Sequence, residues 1–173
     1  MKKVAIVTIE SLNYGNRLQN YALQQVLKEQ KCDVETLRRN RTKTGVKEKI
    51  KKCIQNILQT KAAKFRQFDS LIEFSNITIS RDNYPNGLAN KFDYFIVGSD
   101  QVWRPIYSYC LSNYFLDFTI GQHVKRIAYA ASFGTSKWEF TEGQTTRCAA
   151  LAKQFDAISV REDSGVVLML SIC

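Results

Sequence analysis

The run Val4-Ala-Ile-Val-Thr-Ile9 shows no alternation of apolar and polar residues, and this most narrows what the chain can fold into. A strand with one wet face alternates. A continuous β-branched run has to be buried on both faces, and a parallel sheet covered by helices on both sides is the arrangement that does this. Similar short runs recur at Val34–Leu37, Phe92–Val97, Ile127–Ala131 and Ala157–Val160. Helical patterns lie between them: Leu18, Tyr21, Ala22, Gln25 and Val26 in a helix ending near Lys31, a second from about Ala62 to Phe74, and a third over roughly Glu142 to Gln154. Another helix begins after Ser164. Strands alternating with helices predict an α/β protein with an open, doubly wound, Rossmann-like parallel sheet.

The length, 173 residues, suits one domain. No apolar run reaches the roughly 18 residues of a membrane span, and the stretch after Met1-Lys-Lys is too short for a signal peptide core, so a cytoplasmic location is expected. The five cysteines are widely spaced with no CxxC, and His123 is the single histidine, which argues against a disulfide framework and against a metal centre.

The formal charge of +9 is concentrated in one place. Between Arg38 and Arg66 there are eleven basic residues and one acidic, Glu48, whereas the rest of the chain is close to neutral. Within that stretch Val46, Ile50, Cys53, Ile54, Ile57 and Leu58 recur at helical spacing, so residues of about 38–74 read as a basic helical insertion docked by its apolar side. Its basic side is either a solvated face or a peripheral contact with a membrane surface or anionic glycan. The absence of interleaved aromatics argues against nucleic acid.

In an open α/β sheet ligands bind outside the carboxyl ends of the strands, so the loops that follow the strands are the candidate functional face. Asn13, Tyr14, Gly15, Asn16 and Gln19 follow the first strand; they form either a tight turn or a helix N-terminus shaped for a ligand. Gly98, Ser99, Asp100, Gln101 and Trp103 follow the strand at 92–97. Here Asp100 is placed to take a hydroxyl proton and Trp103 to offer a ring to a sugar, unless the stretch is an Asx turn with a core tryptophan. Ser132 and Gly134 form a third turn, and Arg161 a fourth, as an anion ligand or a structural ion pair with Glu162. No GxGxxG, phosphate-binding P-loop, GxSxG or HExxH occurs.

Five segments in order carry a resemblance: Asn13-Tyr-Gly-Asn-Arg-Leu-Gln-Asn-Tyr-Ala-Leu-Gln24, Phe92-Asp-Tyr-Phe-Ile-Val-Gly-Ser-Asp-Gln-Val-Trp103, Tyr114-Phe-Leu-Asp-Phe118, Lys125-Arg-Ile-Ala-Tyr-Ala-Ala-Ser-Phe-Gly134 and Ile158-Ser-Val-Arg-Glu-Asp163. Together they resemble the N-terminal half of the polysaccharide pyruvyl transferase family over nearly the whole chain. The resemblance implies a two-domain fold of the GT-B glycosyltransferase type. It also implies transfer of a pyruvyl ketal from phosphoenolpyruvate, as donor substrate and with no other cofactor, to a sugar in surface polysaccharide biosynthesis. It implies further that most donor-binding residues belong to a C-terminal domain, which this chain is expected to lack. The expected partner is a saccharide acceptor, lipid-linked in some settings, with self-association through the cleft face as a further expectation. On this reading Asn13, Tyr14, Gly15, Asn16, Gln19, Ser99, Gln101 and Trp103 line the acceptor side and Asp100 deprotonates a hydroxyl. Arg104 stands where the family commonly has asparagine. The alternative is a glycan- or nucleotide-binding module of the same fold without the chemistry.

Overall fold

The computed structural model describes residues 1–11, 13–39, 60–80, 83–108 and 110–172. The apolar positions between Val46 and Leu58, and with them the expected amphipathic helix, lie outside the described residues. In chain order the elements are β1 (Lys2–Val7), α1 (Tyr14–Glu29), β2 (Cys32–Arg39), α2 (Thr60–Asp69), β3 (Phe74–Ile79), β4 (Tyr94–Gly98), β5 (Lys125–Ala131), α3 (Glu142–Ala152), β6 (Ala157–Val160) and α4 (Asp163–Leu170). The strands form one sheet in the order β3-β2-β1-β4-β5-β6, every pair parallel. This is the Rossmann order, and the chain reverses its direction of travel between β1 and β4.

The opening run behaves as its composition requires. Val4, Ala5, Ile6 and Val7 are all buried, Ala5 and Val7 in a large core on one face and Val4 and Ile6 in a smaller core on the other. β4 divides likewise: Phe95 and Val97 face the large core, and Ile96 the small one. The small core is closed by α1 through Leu23 and Leu27. The large core is closed by α3 through Cys148 and Leu151, by α4 through Leu168 and Met169, and by the aromatic segment between β4 and β5. None of the described helices is long and apolar enough to cross a membrane.

Two expectations are corrected. The sheet has a strand that periodicity missed, because the helical spacing of Phe65, Phe68, Leu71 and Ile72 runs on into Phe74 and hides a change of element. α2 ends at Asp69, and the β-branched residues Ile77, Thr78 and Ile79 continue as β3 beside β2. Residues 105–119, with no element expected, hold three 3-10 turns, Pro105–Tyr107, Leu111–Phe115 and Asp117–Thr119. These short turns bring Tyr114, Phe115 and Phe118 onto the sheet. Asp93, just ahead of β4, accepts the backbone N–H of Lys3 at 2.8 Å, and that bond holds its carboxyl below the ordinary range.

Candidate functional site at the carboxyl edge of the sheet

Because every strand is parallel, the loops after β1, β4, β5 and β6 emerge on one edge. The loops after β1 and β4 are neighbours there, since Val7 pairs with Val97 at the point where the strand order reverses.

The loop after β1 ends at Asn13, the N-cap of α1, whose Oδ1 accepts the Gly15 N–H at 2.8 Å. A Cβ on Gly15 would lie 3.2 Å from that oxygen, so the glycine keeps the cap uncrowded. Asn16 accepts a hydrogen bond from the Ser11 hydroxyl. Tyr14 stacks on Phe65 of α2, centroids 4.3 Å apart. The residue that binds this corner together is Arg17. Its guanidinium donates to both carboxylate oxygens of Asp69, at 2.5 and 2.9 Å, and to the Ser11 carbonyl, and lies over the Phe65 ring at 4.5 Å. Gln19 presents a buried Oε1 with no partner among the described residues.

The loop after β4 is tied to the loop after β5 by backbone bonds. The Asp100 carbonyl accepts from Val102 at 2.6 Å and from Ser132 at 3.0 Å, and the Ser132 carbonyl accepts from Trp103 at 3.1 Å. Asp100 Oδ1 accepts the N–H of Gln101 at 2.7 Å, which leaves Oδ2 without a partner among the described residues. The Ser132 hydroxyl donates to Glu162 at 2.7 Å and accepts from Gly134 N–H and Arg161 at 2.9 and 3.1 Å. Gly134 has φ +65°, and a Cβ there would come within 2.3 Å of Gln101 Oε1. Gln101 Oε1 in turn accepts from Arg104, which forms a two-point ion pair with Glu139 at 3.1 and 3.2 Å. That pair raises the Arg104 pKa and holds Glu139 below the ordinary carboxylate range.

Trp103 requires a correction. It is fully buried, its Nε1–H donates to the Tyr114 carbonyl at 3.0 Å, and its ring stacks on Phe115 at 5.0 Å and tilts against Phe133 at 5.4 Å. It offers no face to a sugar. Ser132 is likewise fully buried, its hydroxyl spent on three partners, so it organises the edge and does not present a group to a ligand. Arg161 reaches Ser132 and Glu162, as the ion-pair reading requires. Glu162 is the N-cap residue of α4 but makes no side-chain cap bond; its carboxylate goes to Ser132 and Arg161. Ser99 and Gly98 lie at the strand end as expected, with Gly98 buried and Ser99 partly exposed.

Some residues at this edge escaped sequence reasoning. Arg17 lies inside a segment singled out for its neighbours, but its partner Asp69 is fifty-two positions away. Glu139 has no motif around it. Arg39 looked like part of a basic face, yet its guanidinium sits over Tyr114 at 3.9 Å and donates to Asn113 Oδ1 at 3.3 Å. Arg38 beside it lies over Phe74 and 3.9 Å from Glu10. These two positive charges belong to packing. A polar hollow at the opposite edge, lined by Lys3, Glu35, Asn76 and Asp93 among others, is remote from all the predicted loops.

A family model for polysaccharide pyruvyl transferase matches residues 13–172. The chain belongs to the polysaccharide pyruvyl transferase family. No curated protein and no solved structure matches it. The pyruvyl transferase match begins at the N-cap of α1 and runs past α4, so the Asn13–Gln19 segment and the loops after β4, β5 and β6 fall within it.

Proposed function

We propose that this chain carries the acceptor side of a pyruvyl transferase site, corresponding to the N-terminal half of a GT-B-type enzyme. Such an enzyme moves the pyruvyl group of phosphoenolpyruvate onto two hydroxyls of a surface-polysaccharide sugar. The observation that carries the reading is the convergence of the Asn13–Gln19 and Gly98–Gln101 segments at the adjacent ends of β1 and β4, inside a family match of nearly full length.

The chemistry sets what each group must do. C3 of the enol phosphate takes a proton and becomes a methyl group, which leaves C2 electrophilic. One sugar hydroxyl adds there and loses its proton. The second then adds with loss of inorganic phosphate, closing the ketal, and its proton leaves with the phosphate. Each hydroxyl needs an acceptor as its oxygen attacks, and Asp100 Oδ2, at the switch point, is a carboxylate oxygen with no partner among the described residues. The donor needs cations for its phosphate and carboxylate. Arg17, Arg39, Arg104 and Arg161 are already engaged by carboxylates, amides or rings, which supports an acceptor role for this edge and a donor held by other residues. A lipid-linked acceptor would bring the basic residues between Arg41 and Arg66 to an anionic surface.

Phosphate release from phosphoenolpyruvate in the presence of a surface glycan, with the donor-side half of a family member supplied, tests the reading, with Asp100→Asn alongside. Release that depends on the glycan and falls at least about a hundredfold in Asp100→Asn supports it; release unchanged by Asp100→Asn removes Asp100 from the chemistry. A non-catalytic saccharide-binding module is the second reading, favoured by the engagement of these arginines. Its mark is saccharide binding with no phosphate release under any acceptor, even with the donor-side half supplied.

A further inference from the structure

With Trp103 inside the core, the aromatic surface of the carboxyl edge comes from elsewhere. Tyr14, Tyr107 and Tyr129 are each about half exposed there. Tyr14 is occupied by its stack on Phe65, and Tyr107 lies 5.4 Å from the Arg104 guanidinium. Tyr129 makes no ring contact, cation contact or side-chain hydrogen bond among the described residues, and it is 53% exposed.

Its position is set by three local features. Tyr129 pairs with Gly98 in the β4–β5 ladder, one residue before Ser99 and two before Asp100. The backbones approach so closely that a Cβ on Gly98 would lie 2.0 Å from the Tyr129 carbonyl oxygen, so the floor beside the tyrosine is bare main chain. The register also slips between Ala128 and Ala131, with Ala130 at φ +49° and its N–H given to Ser159 Oγ at 2.9 Å. An irregularity of this kind at a strand end re-aims the neighbouring side chain.

Tyr129 lies on the face of the sheet opposite Ala128, which is the face α1 covers through Leu23. One flank of α1 is taken up by α2, through Tyr14, Arg17 and Tyr21. The other flank carries Gly15, Gln19 and Val26 at helical spacing. Gln19 Oε1, with no partner among the described residues, is on that flank. An exposed ring and a glycine floor thus lie beside the start of the loop that carries Asp100, at the switch point.

We propose that Tyr129 is the platform on which the acceptor sugar ring stacks, the C–H face of a pyranose lying on the phenol ring while hydroxyls on its edge turn towards Asp100. An amphipathic ring with a polar tip suits a ligand that is apolar on its faces and polar at its rim. The ligand class is a pyranose presenting several C–H bonds on one face. This inference rests on the acceptor-side reading and names the residue that sets its sugar preference.

The test is an NMR titration of the 173-residue chain with methyl β-D-galactopyranoside, methyl β-D-glucopyranoside and methyl α-D-mannopyranoside. The expected result is binding of at least one glycoside, with upfield ring-current shifts of its C–H protons and intermolecular NOEs to the Tyr129 ring. Tyr129→Ala is expected to weaken binding about five- to tenfold and erase the upfield shift, while Tyr129→Phe keeps the shift. If a glycoside binds but Tyr129→Ala binds it as tightly, or the wild-type NOEs go to another residue, the platform is refuted and the acceptor side stands. If none of the glycosides binds, the acceptor-side reading fails and the platform with it. The wild-type NOEs decide the matter even if the alanine variant does not fold.

Discussion

Trp103→Phe separates a core residue from a ligand residue at the position where sequence left the two open. Replacing indole by phenyl removes three buried heavy atoms from a site with no solvent exposure, between Phe115 and Phe133. At about 0.8 kcal/mol per buried methylene-sized group the lost transfer energy is roughly 2 kcal/mol, with a smaller cavity term added. The lost Nε1–H···O=C bond to Tyr114 contributes about 1 kcal/mol more. The sum, about 3 kcal/mol, corresponds to a fall in Tm of roughly 6–12 °C for a domain of this size. Thermal unfolding followed by far-UV circular dichroism measures it, with urea unfolding as a second reading. Saccharide affinity of the folded variant should stay within about twofold of wild type, because no part of the indole reaches the surface. A variant that unfolds at the wild-type temperature but has lost saccharide binding would falsify the assignment of Trp103 to the core.

Other expectations follow from local geometry. Gly98→Ala drives a methyl group into the Tyr129 carbonyl and should abolish soluble folded protein, whereas Gly121→Ala, also at positive φ but with nothing within 4 Å, should cost only about 1–2 kcal/mol in urea unfolding. Burial pushes the Cys148 thiol up to about 12, so it should resist iodoacetamide at pH 8 until urea is added, as read by peptide mass spectrometry, while the partly exposed Cys32 is modified before it. The carboxyls of Asp156 and Glu139 are held below their ordinary range, the first by Lys125 and the Arg126 N–H, the second by Arg104. A lowered carboxylate pKa stabilises the fold above the unfolded value, and the stabilisation is lost as pH falls through the folded one. Urea midpoints should therefore drop below about pH 4, and Asp156→Asn should flatten that drop.

What was legible in the sequence was whatever depends on neighbours in the chain. The Val4–Ile9 run announced a doubly buried parallel strand, and Asn13 with Gly15 announced the capped start of a helix. The order of motifs pointed to the family that the match then showed. β3 was lost because a helical pattern ran into a strand without a proline or glycine between them. The candidate site was legible as a set of loops, since an all-parallel sheet sends every such loop to one edge.

The roles within those loops were decided only by tertiary structure. Trp103 and Tyr129 are both aromatic residues at strand ends, and nothing local distinguishes them. The 3-10 turn at Leu111–Phe115 brings Phe115 onto Trp103, while Tyr129, near the end of β5, stays half exposed. Arg17, Arg104 and Ser132 are polar residues whose partners, Asp69, Glu139 and Glu162, lie far off along the chain. Composition records that a charge or a ring is present. Whether its energy goes to packing or remains for a ligand depends on contacts between distant segments, and only the folded chain makes those.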